Sequence, residues 1–105
     1  MAVLNETLER RKVKAMAGAL AATQALAALG VQVIVTGSLA RGRFGRHSDV
    51  DLLVTECPRH LKYAIEGVVE DELAGIPFDV VYLDELPQWK IASFTGEAVH
   101  ASQLR

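Results

Sequence analysis

The sequence has 105 residues, half of them hydrophobic, and a formal net charge of −2. This length predicts a single domain, residues 1–105, with one hydrophobic core and no room for both a large substrate pocket and a second domain. The acidic balance argues against direct binding to DNA. A single cysteine, Cys57, excludes an internal disulfide and fits a cytoplasmic protein. The longest apolar runs are too short to span a bilayer, so no association with a membrane is expected.

The first predicted element is a long helix from Asn5 to about Leu29. Asn5 is a favourable N-cap residue and Gly30 a favourable C-terminal stop. Gly18, within the helix, is less favourable than alanine by about 1 kcal/mol. We interpret the basic cluster Arg10–Lys14 as a solvated face rather than a nucleic-acid contact. Helical spacing predicts a buried stripe formed by Leu8, Val13, Met16, Leu20 and Ala27.

The remaining sequence predicts three strands separated by turns and helices. The strands are expected at Val31–Thr36, Asp49–Thr55 and Phe78–Leu83. A turn from Gly37 to His47, with one helical turn near Leu39–Arg43, joins the first two strands. This order predicts an α/β (α+β) fold with a small mixed sheet flanked by helices.

Two helices are expected in the second half of the chain. Pro58 favours the first position of a helix that reaches about Leu73. Asp84 is a candidate N-cap for a last helix that continues to about Ala101. Core packing against the sheet is the favoured interpretation of three large apolar residues in that helix, with exposure for a partner as the alternative: Trp89, Ile91 and Phe94.

Two aspartates begin the second predicted strand. Residues i and i+2 of a strand point to the same face, so Asp49 and Asp51 project together while Val50 turns into the core. Two neighbouring carboxylates repel each other unless a cation lies between them or one stays protonated. Such hard oxygen ligands suit Mg²⁺, and two ions about 4 Å apart could clamp the entering and leaving oxygens of a phosphoryl or nucleotidyl transfer. Taken alone, the pattern also fits an ordinary strand edge entering solvent.

Two further features bear on the same chemistry. Gly37 and Ser38 follow a strand directly, where a glycine lets the backbone approach a phosphate and a serine adds a hydroxyl donor. There is no Walker A loop or dinucleotide fingerprint, and an ordinary loop would explain this pair by itself.

Asp79 interrupts a strand that otherwise reads as buried. It is either a structural carboxylate, paired or near the strand end, or a third acid facing the first two.

Taken together, these residues resemble a known signature. Gly37-Ser38, ten residues, and then Asp49-Val50-Asp51 are similar to the motif of the DNA polymerase β-like nucleotidyltransferase superfamily. The string GSLARGRFGRHSDVDLLV and the later PFDVVYL resemble its minimal nucleotidyltransferase (MNT) branch. The resemblance implies an active site at the edge of a mixed sheet.

The resemblance also assigns expected roles to individual residues. It implies that Asp49 and Asp51 bind Mg²⁺ and that Asp79 is the third catalytic and metal-binding carboxylate. It implies that Gly37 and Ser38 hold the phosphates of a nucleotide. The Ala-Arg-Gly run at residues 40–42 matches the same branch. It implies that Arg41 supports either the bound triphosphate or the fold.

The neighbouring loop residues are less defined. Arg43 and Arg46 either add charge near the phosphates or are mobile surface side chains. Gly45 stands where many relatives have a basic residue, which Arg46 could replace. We interpret His47 as a plain loop residue.

The activity implied by the resemblance is Mg²⁺-dependent transfer of AMP from ATP to a hydroxyl acceptor, with two ions expected. MNT proteins are often paired with a helical HEPN-domain protein in toxin–antitoxin modules, where the MNT antitoxin can transfer AMP to a tyrosine of the toxin. The expected activity is therefore that of a protein adenylyltransferase. The alternative is a non-catalytic MNT-fold protein that neutralises or scaffolds a partner. The sequence leaves open the acceptor, the preferred base and whether the chain forms a homo-oligomer.

Overall fold

The computed structural model describes residues 2–105, with side chains from Thr7 onward. Within this range no helix combines the length and hydrophobicity needed to cross a membrane. Short 3₁₀ helices lie at Arg59–Ala64, Leu83–Glu85 and Ala101–Gln103. The α-helices and strands are, in chain order, α1 (Ala2–Ala27), β1 (Gln32–Thr36), α2 (Gly37–Ala40), β2 (Val50–Glu56), α3 (Ile65–Leu73), β3 (Phe78–Tyr82) and α4 (Gln88–Thr95).

The sheet is mixed, with β2 in the centre. It pairs antiparallel with β1 and parallel with β3. On the outer edge of β1, the backbone N–H of Val35 donates to the Val99 carbonyl at 2.8 Å, and the Val99 N–H donates back at 2.9 Å. This pairing ties the segment after α4 to the sheet, so the last helix ends at Thr95 and not near Ala101 as expected. The predicted α/β class with a small mixed sheet is confirmed.

The hydrophobic core lies on one face of the sheet. Along β2, Val50, Leu52 and Val54 are buried in one cluster with apolar side chains of α1 and α3. Because side chains alternate along a strand, Asp51 lies on the opposite face. The prediction that Val50 turns into the core is therefore confirmed, and the core fixes which face the aspartate occupies.

The buried face of α1 differs from the predicted apolar stripe. Val13 is 56% exposed, and Leu8 is also exposed. The buried positions instead carry mostly small side chains: Ala15, Ala19, Ala22 and Leu26. Small residues allow α1 to pack close to α3 and β1. Within the predicted stripe, Met16 and Leu20 do pack against the core, but the prediction was wrong for Leu8, Val13 and Ala27, which are exposed. It gave large residues more weight than small ones.

Gly18 lies where α1 comes closest to the end of α3. A Cβ atom at this position would be 2.9 Å from the carbonyl oxygen of Glu72 and 2.8 Å from Cδ2 of Leu73. Helix propensity alone makes Gly18 a weak point, whereas the packing requires a residue without a side chain there.

Two helix starts also differ from the sequence-based expectation. The backbone of α1 is already helical at Ala2, so Asn5 is not its N-cap; the side chain of Asn5 lies outside the described part of the chain. Asp84 lies in a 3₁₀ turn before α4, and its carboxylate accepts hydrogen bonds from Nζ of Lys62 at 3.3 and 3.4 Å. Helix α4 begins only at Gln88, with Pro87 at its N-cap position, so Asp84 lies too early in the chain to cap it. After α1 the chain turns at Gly30, with φ of 85°, as predicted.

The last helix, α4, carries no buried residue. Trp89 is 78% exposed, and Ile91 and Phe94 are only partly buried. The expectation that these three side chains fill the core is therefore wrong. The helix leaves an aromatic side chain on the surface of the protein.

Substituting Gly18 with alanine tests the close packing of α1. We expect Gly18→Ala to lower the free energy of unfolding by about 1–3 kcal/mol, because the added methyl group collides with backbone of α3. Helix propensity alone would raise it by up to about 1 kcal/mol. The measurement is urea unfolding followed by circular dichroism.

Gly67 of α3 provides a matched control, because a Cβ atom there would have no heavy atom within 4 Å. Gly67→Ala is expected to stabilise the protein by about 0.5–1 kcal/mol. Equal stabilisation by both substitutions would contradict the packing described for Gly18.

Candidate active site

A row of three residues crosses the sheet, one from each strand. Asp51 of β2 lies between Thr36 of β1 and Asp79 of β3 in the strand register. Directly paired residues share a face of the sheet, and this face is opposite the one that carries Val50. The topology thus brings Asp51 and Asp79 to adjacent positions, although they are far apart in sequence.

An open cleft of about 440 Å³ lies over this row. The volume is within the range typical of sites for small ligands. One part of its wall is polar and charged, and another part is apolar. The residues that line it are Thr36, Gly37, Arg41, Asp51, Asp79, Val80, Val81, Ser93 and Phe94.

Gly37 turns the chain from β1 into α2 directly against Asp51. Its φ is +68°, in the region that favours glycine. A Cβ atom at Gly37 would lie 2.9 Å from Cγ of Asp51 and nearer still to Oδ2. Both the backbone angle and the space therefore require glycine. The helical turn begins at Gly37 itself, two residues earlier than the predicted Leu39.

Ser38 and Asp49 adjoin the cleft without lining it. Ser38 is half-buried in α2, and its carbonyl accepts a hydrogen bond from the Arg43 N–H at 2.8 Å. Asp49 is exposed and lies one residue before β2. Its charge nevertheless acts on Asp51, as the pKa of that carboxyl shows.

The pKa of the Asp51 carboxyl is raised above its ordinary value of 3.8. Partial burial is the main cause, and the negative charges of Asp79 and Asp49 raise it further. Arg41 opposes this rise. The cleft therefore carries negative charge that nearby side chains compensate only in part, which is the condition that a bound cation relieves.

The carboxylates fit a magnesium ion that also has phosphate ligands. Among the side chains that the structure describes, from Thr7 onward, no three acidic, histidine or cysteine residues lie close enough to hold a metal ion on their own. Mg²⁺ in nucleotide sites usually takes one or two carboxylates and completes its shell with water and phosphate oxygens. Asp49 and Asp51 supply such hard oxygen donors in a region of excess negative charge. The three aspartates do not form such a cluster, although Asp79 lies next to Asp51 in the register.

Asp79 is exposed, and β3 is a partly buried edge strand. The interpretation of this strand as otherwise buried was therefore wrong. An edge strand leaves Asp79 open to solvent at the cleft, so its charge needs no ion-pair partner to be tolerated. A carboxylate in this position is free to contact a ligand.

Arg41 lies at the rim of the cleft, just after α2. Its Nε is 3.6 Å from Oε2 of Glu97, and both side chains are largely exposed. Exposed ion pairs of this kind contribute at most about 1 kcal/mol. Arg41 can therefore exchange Glu97 for an anionic ligand at little cost.

Sequence reasoning missed Arg11. It was grouped with a solvated basic cluster, but its Nη2 donates to the Ser48 carbonyl at 3.0 Å. Its guanidinium also lies over the ring of Phe44, 5.4 Å from the centroid. Phe44 is buried. A phenylalanine within an otherwise polar loop is the sequence feature that could have indicated that this loop is attached to the core.

The two loop arginines have different environments. Arg46 borders a small pocket beside α1, together with Leu8 and Arg11. Arg43 is exposed. The lining of the cleft includes neither side chain, so of the loop arginines only Arg41 faces it in this conformation.

A comparison with protein families agrees with this geometry. Residues 19–99 match the family model described as the nucleotidyltransferase domain, which is most of the chain. The chain belongs to this nucleotidyltransferase family. The match confirms the resemblance to a minimal nucleotidyltransferase of the polymerase β-like superfamily, and the mixed sheet flanked by helices agrees with that fold. No match was found among curated proteins or solved structures.

The matched part of this nucleotidyltransferase begins within α1 and ends at Val99. It therefore includes every residue that lines the cleft. Enzymes of this family transfer a nucleoside monophosphate and generally use a nucleoside triphosphate with Mg²⁺. The cleft over Asp51 is therefore the candidate nucleotide site of this chain.

Substituting Asp51 with asparagine tests the electrostatics of the cleft. The stabilising contribution of a carboxyl with a raised folded-state pKa is fully present below the ordinary value of 3.8 and is lost as the pH rises through the folded pKa. In Mg²⁺-free buffer, Asp51→Asn should therefore increase the free energy of unfolding at about pH 7 but much less at about pH 4.

Urea unfolding at both pH values measures this difference. Asp71→Asn, at an exposed position of α3, is the matched control for loss of one negative charge. An increase for Asp51→Asn at neutral pH no larger than that for Asp71→Asn would contradict the account of the cleft.

Proposed function

We propose that this nucleotidyltransferase transfers AMP from ATP to a hydroxyl acceptor at the cleft over Asp51. The observation that carries the proposal is the position of Asp51, against the Gly37 turn and next to Asp79 in the register. This arrangement leaves a partly desolvated carboxylate facing a glycine turn that a phosphate can approach.

The proposed nucleotide site uses both sides of the turn. Gly37 and Ser38 hold the phosphates, and Arg41 leaves Glu97 to contact them. Asp49 and Asp51 would hold Mg²⁺, with Asp79 as an additional ligand when the nucleotide is bound. When bound, the metal neutralises phosphate charge and polarises the reacting phosphoryl group.

The proposed role of Asp79 in the chemical step is that of a general base. Its carboxylate accepts the proton of the acceptor hydroxyl while that oxygen forms a bond to the α-phosphorus. The bond from the α-phosphorus to the bridging oxygen breaks, and pyrophosphate leaves. Asp79 suits this role because it lies on an edge strand, where an acceptor can approach from solvent.

We propose a protein acceptor, namely a tyrosine of a HEPN-type partner in a toxin–antitoxin pair. The resemblance to MNT proteins suggests this partner, and the surface beside the cleft supports a protein partner in general. Phe94 of α4 lines the cleft, α4 has no buried residue, and Trp89 on the same helix is largely exposed. A partner that covers α4 would bring its own residues to the open cleft.

The same uncovered helix is compatible with a non-catalytic binding protein. Such a protein would bind its partner through α4 without turning over a nucleotide. The two proposals differ in whether Asp51 and Asp79 are needed for the effect on the partner.

Transfer of label from ATP tests the catalytic proposal. The protein is incubated with Mg²⁺, a HEPN-domain partner and ATP labelled either at the α- or at the γ-phosphate. We expect the α-label alone to appear on the partner, and Asp79→Asn to reduce its rate of appearance by about 10²–10⁴-fold. Mass spectrometry of the partner should show the addition of AMP on a tyrosine.

Asp71→Asn is the control and should transfer label like the wild type. Mg²⁺-ATP at about 100 times its Kd should also stabilise the wild type by about 2.7 kcal/mol, and Asp51→Asn should lose this effect. Partner binding without label transfer, retained in Asp51→Asn, would instead favour the non-catalytic protein.

A further inference from the structure

The loop of residues 41–49 connects α2 to β2 and ends at Asp49, one residue before the strand. Part of its shape comes from local hydrogen bonds: the Gly45 N–H donates to Oγ of Ser48 at 2.8 Å, and the Ser48 N–H donates to the Gly45 carbonyl at 3.2 Å. These bonds close a small turn immediately before Asp49. They do not by themselves fix that turn relative to the rest of the protein.

Arg11 of α1 provides that long-range connection. Its Nη2 donates to the Ser48 carbonyl at 3.0 Å, and its guanidinium lies over the buried ring of Phe44. A planar guanidinium can stack on a ring and donate a hydrogen bond at once, which the ammonium group of a lysine cannot do in the same way. One side chain thus fixes two points of the loop to α1.

The backbone on both sides of Asp49 is therefore held. On one side, the Ser48 carbonyl is bound to Arg11. On the other, the Val50 N–H donates to the Pro77 carbonyl at 2.9 Å. With both flanking groups fixed, the direction in which the side chain of Asp49 leaves the backbone is restricted.

The contacts of Arg11 with Ser48 and Phe44 are accompanied by one unfavourable feature. Nε of Arg11 is buried and has no hydrogen-bond partner among the described residues. A buried donor without a partner is unfavourable, and an apolar side chain of similar length would avoid it. Such exceptions are expected where a residue serves a functional site.

We propose that Arg11 is a positioning residue for the metal site, acting through the Ser48 carbonyl on the carboxylate of Asp49. This inference rests on the proposed function, because it assumes that Asp49 and Asp51 hold Mg²⁺ with the triphosphate. Arg11 itself touches neither the nucleotide nor the metal. Its effect is to reduce the reorganisation that Asp49 needs when the metal binds.

The test measures the Mg²⁺ concentration that gives half-maximal binding of a fluorescent, non-hydrolysable ATP analogue. Arg11→Met keeps the apolar part of the side chain and removes the hydrogen bond. We expect it to raise that concentration about tenfold, as substitutions behind a metal ligand commonly do. Arg11→Lys should give a smaller rise, and Arg10→Met, a neighbouring exposed arginine on the same helix, should leave it unchanged.

To separate positioning from stability, each variant is measured under conditions where urea unfolding shows it to be fully folded, because a reversibly unfolded fraction would itself raise the Mg²⁺ concentration at the midpoint. If Arg11→Met does not fold, Arg11→Lys is compared with the wild type in the same way. An unchanged midpoint in the folded variant, with Mg²⁺-dependent binding by the wild type, overturns the role of Arg11 alone. Binding by the wild type that does not depend on Mg²⁺ overturns the proposed function and the role of Arg11 together.

Discussion

Gly37 lies so close to the side chain of Asp51 that no residue with a Cβ atom would fit at position 37. This contact joins the end of β1 to the second residue of β2 on the open face of the sheet. It fixes where α2 begins, and so places Arg41 at the rim of the same cleft. The geometry of the glycine turn and that of the aspartate are therefore a single constraint, and a side chain added at Gly37 would displace Asp51.

Side chains alternate along β2, so residues that stabilise the core and a residue that lines the cleft lie on opposite faces of the same strand. Val50 and Leu52 pack into the core with α1 and α3, while Asp51 between them faces the cleft. The core residues hold the strand, so the carboxylate stays in place even though partial burial and neighbouring negative charges disfavour its ionised form. A bound cation would relieve that cost, which links the stability of the fold to the occupancy of the site.

Much of this arrangement could be predicted from local sequence. The spacing of Gly37, Asp49 and Asp51 and the strand pattern predicted both the family and the face on which Asp51 lies. Local patterns could not predict that alanines form the buried face of α1, because that depends on how closely α3 packs against α1. They also missed the contact of Arg11 with Ser48 and the pairing of Val99 with β1, since both join segments that are distant in the sequence.

The central claim is that the carboxylates beside the Gly37 turn bind a metal–triphosphate complex. A crystal structure with Mg²⁺ and a non-hydrolysable ATP analogue tests it most directly. The account predicts Mg²⁺ at about 2.1 Å from oxygens of Asp49 and Asp51, with phosphate oxygens completing its shell against Gly37. A triphosphate bound away from this turn, or a metal ion that contacts neither aspartate, would contradict it.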